Sequence, residues 1–149
     1  MKKNIIKTFI ALSSTLVLVS DVTAGDIGVA IGIGSNSTQI RADFNINDSM
    51  RLEPFGSVRL TDLDTDKFEL GLGFHMLEEI KPSISAYYGA YVGFLDDYPN
   101  TMFTVGPVAG VEYAFDSQFT LGPEVRVDFA CGDTTDIRTN SSALLRYYF

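Results

Sequence analysis

His75 is the only histidine in the chain, and it is the side chain best suited to act as a general base. In acyl-transfer chemistry such a base activates a serine or a similar nucleophile, and an acid orients the base. No His-x-Ser pattern surrounds His75 in the sequence. We therefore predict no catalytic residue, and we expect His75 to be an interior histidine hydrogen-bonded to Glu or Tyr neighbours.

An acidic segment, Asp62-Leu63-Asp64-Thr65-Asp66, has the alternating aspartates with which a calcium loop begins. The sixth position of that loop needs Gly and the twelfth needs Glu, but Lys67 and Gly73 stand there. This excludes an EF-hand, although Asp96 and Asp97 leave a looser divalent-ion site open. We predict a solvated acidic rim, no metal ligand and no cofactor.

Arginines and acidic residues recur at alternating positions over much of the chain. In a strand this spacing places them on one face, because successive side chains point to opposite sides. Mixed charges at this density are typical of a network of ion pairs, since buried charge is tolerated only when it is paired. The predicted network consists of Arg41, Asp43, Arg51, Glu53, Arg59, Glu69, Glu112, Glu124, Arg126, Asp128 and Arg146.

The N-terminus has the composition of a secretory signal peptide. Three lysines among the first seven residues precede an apolar run over 8–19, and Val22-Thr23-Ala24 offers a cleavage site before Gly25. The run is shorter than the roughly 20 residues that a membrane-spanning helix needs. The sequence predicts a signal peptide over 1–24, which is removed, and a single mature domain over 25–149.

The predicted mature chain has 8 basic and 18 acidic residues, a net charge of −10. Such a chain would repel phosphates, so we predict no nucleic-acid partner. Cys131 is the only cysteine, which excludes an intramolecular disulfide. Nothing basic lies beside it in the sequence to activate the thiol, so we expect it to behave as a small apolar residue.

From residue 25 onward, apolar and polar residues alternate with a period of two, which predicts strands throughout. Turn residues divide the pattern into eight strands, over 26–35, 38–47, 50–60, 67–76, 83–95, 101–115, 119–131 and a last one ending at Phe149. A polar turn is expected over 77–82. Bulges or kinks are expected at Pro107 and Pro123, because proline cannot donate to a strand ladder.

The glycines indicate which face of these strands points inward. Ten of the 13 lie on the polar face: Gly28, Gly32, Gly34, Gly71, Gly73, Gly89, Gly93, Gly106, Gly110 and Gly122. A solvated outer surface has no use for residues that weaken strands, whereas a crowded interior needs the room they leave. We predict an all-β fold, an eight-stranded antiparallel up-and-down transmembrane β-barrel with a polar, side-chain-filled lumen.

The last strand ends in an aromatic carboxyl terminus, and its apolar face carries Ser141, Ala143, Leu145, Tyr147 and Phe149. Aromatic residues also gather near the strand ends, as they do at membrane interfaces. This ending and the alternation from residue 25 onward resemble the small eight-stranded outer-membrane barrels of the OmpA-transmembrane-domain and OmpX type. The resemblance implies a Gram-negative outer-membrane protein in contact with membrane lipid and lipopolysaccharide. It also implies an assembly machinery that reads these five residues.

The resemblance favours a structural or envelope-interaction role without catalysis, for a chain that we expect to be a monomer. The external connections are short, at 35–37, 61–66, 96–100 and 132–138, whereas those relatives bind through long loops. Two alternatives stay open. One is a lipid A-modifying enzyme of the deacylase type that uses His75, and the other is a narrow pore. A wide pore is disfavoured because eight strands leave an interior that side chains fill.

Overall fold

The computed structural model describes residues 26–34, 37–60, 66–97, 100–132 and 135–149. Within them the chain forms eight strands: β1 (Ile27–Gly34), β2 (Thr38–Asn47), β3 (Met50–Leu60), β4 (Asp66–Lys81), β5 (Ile84–Asp97), β6 (Asn100–Ala114), β7 (Phe119–Cys131) and β8 (Thr135–Tyr148). The predicted signal peptide and residues 62–65 of the acidic segment lie outside the described residues. No helix in the described ranges is long and apolar enough to cross a membrane.

The strands form one closed antiparallel barrel, in which each strand pairs with its neighbours in the sequence. β8 closes the ring on β1, with Leu145 opposite Ile31. Beyond the last pair, the backbone N–H of Phe149 donates to the carbonyl of Ile27 at 2.9 Å. Closure removes the free strand edges. A sheet in lipid must have no free edge, because no water is there to bind unpaired backbone groups. The prediction of an eight-stranded up-and-down barrel is confirmed.

The two faces of the barrel wall differ in exposure. Leu145 faces outward and is 46 % exposed, whereas its neighbour Arg146 faces the lumen and is 0 % exposed. Lumen glycines make room for rings: a Cβ on Gly110 would lie 2.3 Å from the ring of Tyr87. The polar face therefore points inward, as the placement of the glycines predicts.

The lumen also contains an apolar cluster. Its buried members are Phe55, Tyr87, Tyr91, Val108 and Leu144. Burial of these side chains adds hydrophobic stabilisation inside a barrel whose interior otherwise holds charged groups.

The β4–β5 hairpin is longer than predicted, and the expected polar turn over 77–82 is wrong. β4 continues to Lys81, with Leu77 opposite Tyr87, and the turn is confined to Pro82 and Ser83. The backbone N–H of Leu77 donates to the carbonyl of Ser49 at 2.9 Å, and its side chain packs against the apolar lumen cluster. Polar residues after Leu77 resemble a turn in the sequence, but they form the solvent-exposed end of a strand.

The external ends of four strands also extend further than predicted. β4 begins at Asp66, β5 reaches Asp97, β6 begins at Asn100 and β8 begins at Thr135. The connections between them are therefore even shorter than the sequence indicates, because polar residues near a strand end can continue the ladder without burial.

The two expected irregularities at Pro107 and Pro123 occur as gaps in the β6–β7 ladder, without a shift in register. Pairing is intact at Val105 opposite Phe129 and resumes at Val108 opposite Arg126. The prolines therefore remove hydrogen bonds but do not bulge the strand.

Candidate functional site

Arg146 lies in the lumen on the closing strand and joins acids from three other strands. Its Nε atom is 3.1 Å from Oδ2 of Asp43 on β2. Its Nη2 atom is 3.1 Å from Oε2 of Glu53 on β3, and its Nη1 atom is 2.9 Å from Oε1 of Glu112 on β6. A guanidinium can serve three carboxylates because its five N–H groups point in fixed, divergent directions.

Arg41 on β2 forms a second junction beside the first. Its Nη1 atom is 2.5 Å from Oε1 of Glu53, and both of its terminal nitrogens donate to Glu124 at 2.7 and 2.8 Å. The hydroxyl of Tyr87 donates to Glu124 at 2.9 Å, and Gln39 accepts from Arg41. The bidentate pairing of Arg41 with Glu124 is among the stronger hydrogen-bond arrangements in proteins.

Arg51 on β3 completes this part of the network nearer the N- and C-terminal end of the barrel. Its two terminal nitrogens donate to Glu112 at 2.5 and 3.2 Å, and its Nε donates to Asn45 at 3.2 Å. The guanidinium carbon lies 5.8 Å from the ring centroid of Tyr87 and 5.7 Å from that of Tyr148. Both distances are within the range of cation–π attraction.

Arg126 on β7 organises a separate group toward the other end of the lumen. Its side chain lies 2.8 Å from Glu69 and 2.9 Å from Asp128. Thr104 donates to Glu69 at 3.0 Å, and Tyr91 donates to Asp128. The guanidinium carbon is also 4.3 Å from the Tyr91 ring centroid. Aromatic faces and carboxylates thus surround this cation on several sides.

His75 lies in the lumen among these charges and is 1 % exposed. Its ring centroid is 5.2 Å from that of Tyr87. The expected neighbours are present, but the expected hydrogen bond is not: the His75 Nδ1 atom lies 3.8 Å from Glu53 Oε2, beyond hydrogen-bond distance.

A cavity of about 10 Å³ lies beside His75, with room for about one water molecule. Its lining contains no Ser, Thr or Cys: Arg41, Glu53, Phe55, Gly73, His75, Tyr91, Val108, Glu124 and Arg126. Within this lining, therefore, no hydroxyl or thiol of the usual nucleophilic type faces the histidine.

The structure brings most of the predicted charged residues together in the lumen. The buried ones are Arg41, Asp43, Arg51, Glu53, Glu69, Glu112, Glu124, Arg126, Asp128 and Arg146. The side chain of Arg59 lies outside the described part of the structure. Sequence reasoning left out neutral partners that share the same strand face, namely Gln39, Tyr87, Tyr91, Thr104, Asn140 and Tyr148. Their position in the alternation was the signal that could have identified them.

The five residues of the C-terminal motif lie on the outward face of β8. The rings of Tyr147 and Phe149 are 5.1 Å apart, and Phe119 of β7 lies 4.8 Å from Tyr147. Ser141, Ala143 and Leu145 continue this exposed face along the strand.

The remaining sequence predictions concern Cys131 and a possible divalent-ion site. Cys131 is exposed at the end of β7. Among the described residues, no three His, Cys, Asp or Glu side chains are arranged so that they could hold a metal ion. The aspartates at 62 and 64 lie outside the described ranges.

No known family's sequence profile matches the chain, and no curated protein matches it significantly. Solved structures do match. Neisserial surface protein A (NspA) has a TM-score of 0.61 at 21 % identity, over 83 % of this chain and 93 % of that one. The N-terminal β-barrel domain of Pseudomonas aeruginosa OprF has a TM-score of 0.64 at 10 % identity, over 84 % and 100 %. A de novo designed transmembrane β-barrel has a TM-score of 0.61 at 16 % identity, over 87 % and 100 %. The chain therefore has the fold of the small transmembrane β-barrels, as its resemblance to the OmpA and OmpX type predicts.

Proposed function

We propose that the protein is an integral outer-membrane barrel with a structural or envelope-interaction role. The observation that carries this proposal is the inverted barrel: large apolar side chains are exposed and charged ones are buried. Ile31, Val125 and Leu121 are 41–54 % exposed on the outer face, whereas Asp43 and Arg146 are 0 % exposed. An apolar surface of this extent needs lipid around it, because water would leave it unfavourably hydrated.

Aromatic pairs near the strand ends support the same placement. Phe94 and Phe103 are 5.5 Å apart near the external connections, and Tyr113 and Phe115 are 5.2 Å apart at the opposite end. Such rings favour the boundary between hydrocarbon and headgroups. We infer contact with membrane lipid and lipopolysaccharide, export to the Gram-negative outer membrane, and recognition of β8 by assembly machinery.

The packed lumen is what favours a structural role. Its charged side chains form ion pairs with one another, and the cavity beside His75 has a volume of about 10 Å³. A lipid-modifying enzyme would need space for an acyl chain and a nucleophile near the base. A pore would need a continuous water-filled path. Neither alternative has a supporting observation in the described residues.

The test is heat modifiability after isolation from membranes. We expect the protein, expressed from its full chain and extracted in detergent, to migrate faster on a gel before boiling than after it. A compact barrel resists the detergent until heat unfolds it. Equal migration, or recovery of the protein in the soluble periplasmic fraction, would contradict the proposal.

A further inference from the structure

The ladders between strands are not equally complete. We call each line along which two strands pair a seam. Among the described residues, six of the eight seams pair without a break between their central residues. Within these same residues, only the β2–β3 and β6–β7 seams have central gaps.

Both gaps in the β6–β7 seam coincide with a Gly-Pro step. Continuing the register of the flanking pairs places Pro107 opposite Val127 and Pro123 opposite Val111. Proline has no N–H to donate, so neither valine carbonyl can receive the usual ladder bond.

Each of these carbonyls lies instead against the glycine that precedes the proline. A Cβ on Gly106 would lie 1.7 Å from the Val127 oxygen, and a Cβ on Gly122 would lie 1.6 Å from the Val111 oxygen. The hydroxyl of Tyr91 approaches the Val127 carbonyl from the lumen at 3.4 Å. Two backbone hydrogen bonds are therefore missing from this one seam.

The gap in the β2–β3 seam has the same cause. Pairing is present at Arg41 opposite Phe55 and resumes at Phe44 opposite Leu52, and Pro54 lies between these pairs. In a ring of eight strands in sequence order, this seam lies four strands from the β6–β7 seam, on the opposite side of the barrel. The two interrupted seams thus divide the wall into half-sheet one (β3, β4, β5 and β6) and half-sheet two (β7, β8, β1 and β2).

Lumen contacts join the two half-sheets across the interior of the barrel. Three arginines of half-sheet two reach acids of half-sheet one. The pairs are Arg41–Glu53 at 2.5 Å, Arg126–Glu69 at 2.8 Å, Arg146–Glu53 at 3.1 Å and Arg146–Glu112 at 2.9 Å. Tyr87 and Tyr91 of half-sheet one donate in the other direction, to Glu124 and Asp128.

We propose that the barrel consists of two four-stranded half-sheets, hinged at two opposed proline-interrupted seams and held closed by the lumen ion pairs that cross between them. We call these crossing ion pairs the clasp. Glu53 is central to it, because this carboxylate pairs with both Arg41 and Arg146 of the other half-sheet. Loosening the clasp lets the half-sheets move relative to each other while each keeps its own ladders. The network then controls the conformation of the barrel in addition to filling it.

Amide hydrogen exchange tests the proposal on the full-chain protein purified in detergent. We compare Glu53→Gln, which weakens two contacts between the half-sheets, with Asp136→Asn. Asp136 is a carboxylate whose ion pair with Arg138, at 2.6 Å, stays within β8 of half-sheet two. In Glu53→Gln we expect amides around the gaps of the two interrupted seams to exchange about tenfold faster, with the β4–β5 ladder unchanged. Asp136→Asn should leave both regions near their original rates. A uniform increase along all strands, or no increase at the gaps, would overturn the proposal.

A second variant keeps the proposal testable if Glu53→Gln does not fold. Replacing both Pro107 and Pro123 by Val restores two N–H groups at lipid-facing positions of the β6–β7 seam. We expect exchange near both gaps to slow by about tenfold relative to the original protein. Unchanged exchange at these amides would show that the prolines do not weaken the seam, and it would also overturn the proposal.

Discussion

At the scale of single residues, the burial and the partners of a charged side chain determine how much it contributes to the stability of the barrel. Arg146 is fully buried and meets three carboxylates, whereas Arg138 lies at the rim and pairs with Asp136. Both are arginines in β8 with acidic neighbours, but water surrounds only the second pair. Burial makes an ion pair costly to break, because the remaining charges cannot be solvated.

Replacing Arg146 by Met should therefore destabilise the barrel by about 3–5 kcal/mol, since three buried carboxylates lose a common cation. Urea unfolding in lipid vesicles, followed by heat-modifiable migration, measures this change. Arg138→Gln is the matched control in the same strand, and it should cost less than about 1 kcal/mol because its ion pair is exposed. Similar unfolding midpoints for the two variants would contradict this view of the lumen.

At the scale of strands, glycine and proline determine where the ladder is regular. Gly110 leaves room for the Tyr87 ring, while Gly122 leaves room for the backbone carbonyl of Val111. A neighbouring side chain can rotate away from an added methyl group, but a carbonyl within a ladder cannot. The consequences of substitution should therefore depend on what the glycine faces.

Gly122→Ala tests this distinction against Gly32→Ala. The added Cβ at 122 would meet the Val111 oxygen at 1.6 Å, whereas at 32 the nearest atom is Cδ2 of the Leu144 side chain at 2.6 Å. We expect Gly122→Ala to lower the free energy of unfolding by about 1–3 kcal/mol, and Gly32→Ala to lower it by less. Equilibrium unfolding in vesicles measures both, and a larger loss for Gly32→Ala would show the argument to be wrong.

At the scale of the whole molecule, closure and membrane insertion depend on β8 reaching β1. Phe149 contributes one backbone hydrogen bond to Ile27 and a ring contact with Tyr147, and its side chain is 58 % exposed. These contacts predict a modest role in the stability of the folded barrel. The resemblance to small outer-membrane barrels predicts a larger role for Phe149 in assembly.

Deleting Phe149 should consequently lower the yield in the outer membrane more than it lowers the unfolding midpoint of the protein that does fold. Phe115→Ala is a close control, since Phe115 is also 58 % exposed and packs on Tyr113 at 5.2 Å but lies outside the motif over 141–149. Membrane fractionation and vesicle unfolding give the two measurements. Equal membrane yield for the deletion and the control would refute a special role of the terminal residue in assembly.

The sequence by itself determined the strands, their faces and the barrel, because a period of two repeats along the whole described chain and each side chain has only two directions in which to point. It also indicated which charges share the lumen. It misplaced the turn near Leu77, since polar residues occur both in turns and at solvated strand ends. Only the tertiary structure decided that Arg146 joins Asp43, Glu53 and Glu112, because residues far apart in the chain meet across a closed ring whose stagger no local pattern encodes. The same closure placed the proline-interrupted seams on opposite sides and the ion pairs between them.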